Sequence, residues 1–292
     1  MSRALLCVAA LALAGCFDFD ALRQPLDGSA AGGDDLALAE SDLANVTDLA
    51  GADGGVVAPT PRLIANAWFS DFGGTTYAST VGMTKTQFEV PTAGIVDGDL
   101  VLFIANIDNG SNTLWPDPIA PGFTQIAQAF YGSDGQTFVV AYKIAHSEPP
   151  KYTGTYGSGN GSGSSVIALI AVSGASTATP IDNSLASFSS AAGMSPVLGS
   201  SNGLVTTTAN CTLLLAGGVD WLGTNGTNTF TLPSGFTSLS QLGDHGTAAW
   251  DWTSQQVSWS TQPAAGATGT VNWSALGSQN GQSWTVLVAV AP

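Results

Sequence analysis

Two histidines, His146 and His245, are the only ones in 292 residues, and each has polar neighbours: Ser147-Glu148 follow the first and Asp244 precedes the second. A hydrolytic triad needs serine, histidine and an acid brought together. Serine is so common here that any histidine finds one nearby, and no Gly-x-Ser-x-Gly elbow presents a nucleophile. No His-Glu-x-x-His pair or cysteine cluster offers a transition-metal site. Glycan cleavage would need two carboxylates across a cleft, and Asp97 with Asp99 or Asp244 with Asp251 are the nearest pairs. Asp97-Gly98-Asp99 reads more simply as a turn leading into a strand. Both histidines read as solvated surface, no residue is assigned a catalytic role, and the chain is expected not to be an enzyme.

Binding chemistry has better candidates. Asp108-Asn109-Gly110-Ser111-Asn112 leads to Trp115, and Asp220-Trp221 opens a second segment that continues through Asn225 to Phe230. Both follow an apolar run, and both mix carboxylate, carboxamide and a large ring. Such a set can hydrogen-bond sugar hydroxyls while stacking their C–H faces on indole. Asp108, Asn109, Asn112, Trp115, Asp220, Trp221 and Asn225 are therefore the candidate ligand residues. The competing reading is that Asp, Asn and Gly make hairpin turns while tryptophan packs over a sandwich end. Asn106, Asp108, Gly110 and Asn112 alternate loosely as in a calcium loop, but one carboxylate is too few to assign calcium. Neither a metal nor an organic cofactor is expected. Trp250 and Trp252 flank Asp251, and Trp259 alternates with Val257; same-face tryptophans read as core.

The elements that must hold these segments are strands. From Leu63 onward short β-rich runs alternate with Gly, Asn, Ser and Pro clusters, without helical periodicity. Residues 99–108 (DLVLFIANID) are apolar on both alternating faces, as a central strand between two covering layers would be. Residues 136–145 place Phe138, Val140, Tyr142 and Ile144 on one face, and 165–172 form another apolar run. An internal repeat governs the architecture. Leu100-Val101-Leu102 matches Leu213-Leu214-Leu215, and Pro121-Gly122-Phe123-Thr124 matches Ser234-Gly235-Phe236-Thr237, both at an offset of 113. Asp108 matches Asp220 at 112, and residues 167–172 match 285–290 at 118. The pseudo-repeats span about 81–174 and 200–292, with 63–91 read as an addition in front of the first. Two separate sandwiches or one shared sandwich both fit; the lack of a charged or Pro-rich hinge favours one antiparallel, jelly-roll-like, all-β sandwich over 62–292.

Charge excludes one partner class. The net charge is −15, from 21 acids and 6 basic residues. Nucleic acid is not expected as a partner, because nothing would neutralise its phosphates. Nine acids lie between Asp18 and Asp53, so much of the acidity belongs to the N-terminal segment. That segment carries three Asp-Leu-Ala copies, at Asp35, Asp42 and Asp48. A heptad would align the leucines for a coiled coil, but the spacing slips from seven to six and Gly and Pro flank the copies, so it reads as a disordered linker. As a flexible coil its 45 residues would reach roughly 35–40 Å.

Ahead of the linker, Arg3 precedes an uncharged run over residues 4–14 that ends in Leu13-Ala14-Gly15-Cys16. The run is too short to span a bilayer and suits a secretory signal. Leu13-Ala14-Gly15-Cys16 resembles the lipobox of bacterial lipoproteins. The resemblance implies removal of residues 1–15, a diacylglycerol thioether on Cys16, and residues 16–61 acting as a lipidated tether. Cys7 would leave with the signal, and Cys211 would remain alone as a buried thiol, with no disulfide available to it. The Gly-Asp-Leu strand start, the Pro-Gly-Phe turn, Ala267 to Thr270 and the final apolar strand resemble β-sandwich modules of bacterial surface proteins and phage tail or fibre proteins. Together the two resemblances imply a lipid-anchored protein of the cell envelope, at the outer membrane or cell surface. Its partners would be the membrane, through the acyl chains, and a polysaccharide or an envelope protein. A fibre-like assembly module without a ligand pocket is the alternative, and an envelope glycan hydrolase a more distant one.

Overall fold

The computed structural model describes residues 56–72, 75–79, 83–84, 86–108, 119–131, 136–155, 163–189, 197–198, 203–220, 229–243, 253–276 and 283–292. Val56–Pro292 is one compact unit. The first half supplies β1 (Thr60–Phe72), β2 (Thr75–Ala78), β3 (Gln87–Pro91), β4 (Leu100–Asp108), β5 (Thr124–Tyr131), β6 (Gln136–Ile144), β7 (Lys151–Thr155) and β8 (Gly163–Ser173). The second supplies β9 (Ile181–Ser189), β10 (Val197–Leu198), β11 (Val205–Thr206), β12 (Cys211–Asp220), β13 (Thr229–Thr231) and β14 (Thr237–Gly243). It ends with β15 (Thr253–Gln262), β16 (Gly266–Ala267), β17 (Val271–Asn272), β18 (Ser274–Leu276) and β19 (Ser283–Val290). All pairings are antiparallel, and no helix occurs among the described residues. The fold is an all-β sandwich.

The repeat is visible in the strand order. One large sheet runs β2-β1-β8-β4-β6-β5, and the other runs β9-β19-β12-β15-β14. Setting aside the β2 hairpin, each half builds the same five-stranded sheet from equivalent strands. The shared turn before the outermost strand has one geometry in both halves. Phe123 N–H donates to Ala120 O at 3.4 Å and Phe236 N–H to Pro233 O at 3.2 Å. Gly122 (φ +85°) and Gly235 (φ +81°) take the left-handed conformation that such a turn requires. The structure also enlarges the repeat. Residues 60–72 are not an addition in front of the first half, because β1 flanks β8 as β9 flanks β19. Their side chains share too little for sequence comparison to pair them.

Alternating side chains explain how both faces of each sheet become buried. On β4, Leu100, Leu102 and Ile104 face the other large sheet, where they meet Leu214, Ala216, Val257, Trp284, Val286 and Val288. Phe138, Val140, Tyr142 and Ile144 of β6 face the same gap. Val101, Phe103, Ala105 and Ile107 point the other way, beneath Phe88, Val90 and Tyr152 of the β3–β7 ribbon. The second half repeats this with Leu213, Leu215 and Leu287 under Leu204, Phe230 and Trp273. The result is one central sandwich, one sheet per half, with a thin outer layer on each side.

Across the central gap β1 lies against β14 and β5 against β9. Opposite edges are thus exchanged between the halves, as a pseudo-two-fold axis along the strands would do. Such an axis brings equivalent strand ends to the same end of the molecule.

Candidate functional site

The ends of β4 and β12 come together at one end of the sandwich. Asn106, fully buried two residues before Asp108, donates through Nδ2 to Val219 O at 3.4 Å and to Ser254 O at 3.2 Å. Asp108 is in register with Ser164, and Asp220 with Thr253. The hydroxyls of Ser164 and Thr253 hydrogen-bond each other across the gap. The two aspartates that open the candidate segments therefore end adjacent, equivalent strands. Asn109, Asn112, Trp115, Trp221 and Asn225 lie outside the described residues, as do His245, Asp244, Asp251, Trp250, Trp252 and Cys16.

Beneath that end the core turns polar. Gln136 Nε2 donates to Asn106 Oδ1 at 2.9 Å, and Gln255 Nε2 reaches Ile104 O at 3.4 Å. Trp284 stacks on Phe138 with centroids 4.7 Å apart and planes within 8°. Gln136 Oε1, Gln255 Oε1 and Trp284 Nε1 are buried without a hydrogen-bond partner among the described residues. Burying such groups is costly unless they are paired, so this layer is a polar floor with unfilled hydrogen-bonding capacity. The sequence marks it only faintly: Asn106 is a polar letter interrupting the apolar run LVLFIANID, while Gln255 lies in the polar stretch TSQQVSW.

At the opposite end the chain enters. Pro59, just before β1, accepts a hydrogen bond from Thr212 Oγ1 of β12. The described Arg and Lys ion pairs of the first half gather at this end. Asp99, 4% exposed, is bracketed by Arg62 and Ser173 and accepts the Val96 amide at 2.8 Å. Burial opposes the Asp99 carboxylate, but the bonds from Arg62, Val96 and Ser173 outweigh it and hold its carboxyl below the ordinary range. Glu148 behaves likewise: burial is outweighed by bonds from Lys143 (2.8 Å), Tyr152 (2.6 Å) and the His146 amide (2.9 Å). In the second half Asp182 accepts from Thr207 and Thr208, which overcome its burial and lower its carboxyl as well.

These placements decide what the sequence-level candidates do. Asp97-Gly98-Asp99 is a turn into β4, and Asp99 is consumed by Arg62 rather than facing a second free carboxylate. His146 is 87% exposed and meets Asp97 at 3.7 Å. Trp259 packs with Val257 against the central core. Cys211 is buried; burial, with Asp182 nearby, pushes its thiol up to about 11. No group of three His, Cys, Asp or Glu side chains gathers among the described residues. A shallow cleft of about 290 Å³ opens on the β3–β7 ribbon, lined by Gln87, Phe88, Glu89, Thr153, Gly154 and Thr155. Its one carboxylate, Glu89, is paired with Lys151 at 2.6 Å.

No protein-family model matches the chain, and no curated protein or solved structure matches it either.

Proposed function

We propose that the chain is a lipid-anchored envelope protein whose sandwich is displayed for binding, with a polysaccharide or an envelope protein as its partner. One observation carries this reading: the fold is polar from end to end. The chain enters beside Thr212, and β4 and β12 deliver Asp108 and Asp220 to the far end. β1 alone, with 13 residues, accounts for roughly 40 Å between the two. The tether joins the sandwich at the entry end, so the end that carries Asp108 and Asp220 is not the point of attachment. The described basic side chains Arg62, Lys143 and Lys151 are each ion-paired, which disfavours phosphate-rich partners and leaves recognition to uncharged polar groups and rings.

The test is retention on insoluble polysaccharides, comparing the full chain with Trp115→Ala and Trp221→Ala. Retention that falls about fivefold or more in each variant is the expected outcome, taking a stacked ring to contribute about 1–3 kcal/mol as it does under a nucleobase. Unchanged retention in both variants would remove these segments from the account. Mass spectrometry of the mature N-terminal peptide checks the anchor separately, and an unmodified Cys16 would end that half of the proposal.

A further inference from the structure

We infer that two copies of this chain pair edge to edge through β9, each adding its sheet to the other's. Among the described residues β9 is the terminal strand of the β9-β19-β12-β15-β14 sheet, with β10 and β11 touching it. An edge strand presents unpaired N–H and C=O groups along its free side, and natural sheets guard such edges with charge, proline, bulges or a covering strand. Its counterpart β1 has all four guards: Pro61, Arg62, a register break at Leu63/Ala65, and β2 paired along Phe69 to Phe72. β5 and β14 are each broken near their starts, at Gln125/Ala127 and Ser238/Ser240, which leaves five and four residues in continuous register. β9 is broken at its start as well, but from Asn183 to Ser189 it keeps seven residues in unbroken register with β19. Residues 183–189 (NSLASFS) contain no proline and no charge. Among the described residues no backbone–backbone bond outside the sheet ladder reaches residues 185–188, and the Ser184 N–H is held by the neighbouring Asn183 Oδ1 at 2.8 Å, a local bond that pairing would exchange.

The occupant follows from charge and symmetry. The net charge of −15 makes copies repel, so a contact between them is favoured where charged residues are absent. The β9 side beyond Asp182 is such a place: residues 183–189 carry no charge, and neither does β5, stacked against β9 across the gap. Antiparallel pairing of a strand with itself is isologous. With Ala186 on the axis, Leu185 faces the other copy's Ser187 and Phe188 faces its Ser184, so no cross-strand pair opposes like charges. Phe188 is 42% exposed although its ring lies 4.8 Å from that of Phe138. A second β9 would cover that rigid, half-open ring.

Sedimentation velocity of the full-length chain in non-ionic detergent, from about 1 to 100 µM, reads the association directly. The expected result is a concentration-dependent dimer. Ser184→Lys and Ser184→Asp, both at an exposed position, should each raise its dissociation constant at least tenfold while leaving the melting temperature unchanged. Thr237→Lys, on the β14 edge, should leave association as it was. A chain that stays monomeric throughout, dimers that survive both Ser184 changes, or loss of dimer in Thr237→Lys would each overturn the inference.

Discussion

Gly217 and Gly218 stand together in β12, and each makes room for an indole on a different face of the sheet. A Cβ on Gly217 would lie 2.6 Å from the Trp273 ring, on the outer side. One on Gly218 would lie 2.5 Å from Trp284 Nε1 and 2.8 Å from Asn106 Nδ2, in the central gap. Glycine within a strand costs backbone entropy and packs nothing, so its presence marks a close approach. Neither indole can withdraw easily. Trp273 Nε1 donates to Thr285 Oγ1, and Trp284 is held flat on Phe138. Overpacking of this kind typically costs about 1–3 kcal/mol. Gly217→Ala and Gly218→Ala should each lower stability by that order in denaturant titration. The second should also blunt the near-ultraviolet dichroism of the stacked Trp284–Phe138 pair, and unchanged stability in both would mean that the rings move aside freely.

Among the elements, β1 is the one fastened by charge. Arg62, near its start, bonds Asp99 at the head of β4, Ser173 at the end of β8 and Gly94 O at 2.8 Å. Three segments thus meet on one guanidinium, and hydrogen bonds to charged groups contribute about 1.5–3 kcal/mol each. About a third of the Arg62 side chain is exposed, so the loss in Arg62→Ala should fall near the low end, about 1–2 kcal/mol in total. The pH dependence has a definite sign. The Asp99 and Glu148 carboxyls titrate lower when folded than their ordinary 3.8 and 4.5. Their stabilisation is therefore complete above those ordinary values and drains away as pH falls through the folded ones. Melting temperature should stay level from about pH 8 to 5 and drop below about pH 4, with a smaller drop in Arg62→Ala. A parallel drop in the variant would exclude Asp99 from the acid response. The sequence displays some of this organisation and hides the rest. The two-sided apolar character of β4, the one-sided alternation of β6 and the matched Gly-Phe-Thr turns are local patterns, so they can be read directly. Arg62 meeting Asp99 and the equivalence of β1 with β9 are products of pairing at long range, and no periodicity encodes them. The polar floor is intermediate: Asn106 visibly interrupts an apolar run, but only the packing of the two sheets shows that Asn106, Gln136 and Gln255 share one layer.

At the scale of the whole molecule, the question is whether either half could exist alone. Each half owns a complete five-stranded sheet and an outer layer, which suggests two small domains. The central gap argues otherwise. Leu100, Leu102, Ile104, Val140, Ile170 and Val172 of the first half face the gap, all nearly or fully buried. Exposing six such side chains would cost roughly 10 kcal/mol, which is about the whole stability margin of an ordinary domain. The second half would expose Leu214, Val257, Trp284, Val286 and Val288 in the same way. The gap is also where the halves exchange hydrogen bonds, through Asn106, Ser164, Thr253, Gln255 and, at the entry end, Pro59 with Thr212. Splitting the chain in the turn between β8 and β9 tests this. Either half expressed alone should bind a hydrophobic dye and lack a cooperative melting transition, because its sheet has lost the surface that buries one face. Both halves produced together should reassemble and recover the transition, since the exchanged contacts do not depend on the connecting peptide. A lone half that melts cooperatively would show that the outer layer suffices to hold one sheet, and the two repeats would then be independent domains pressed together rather than one core.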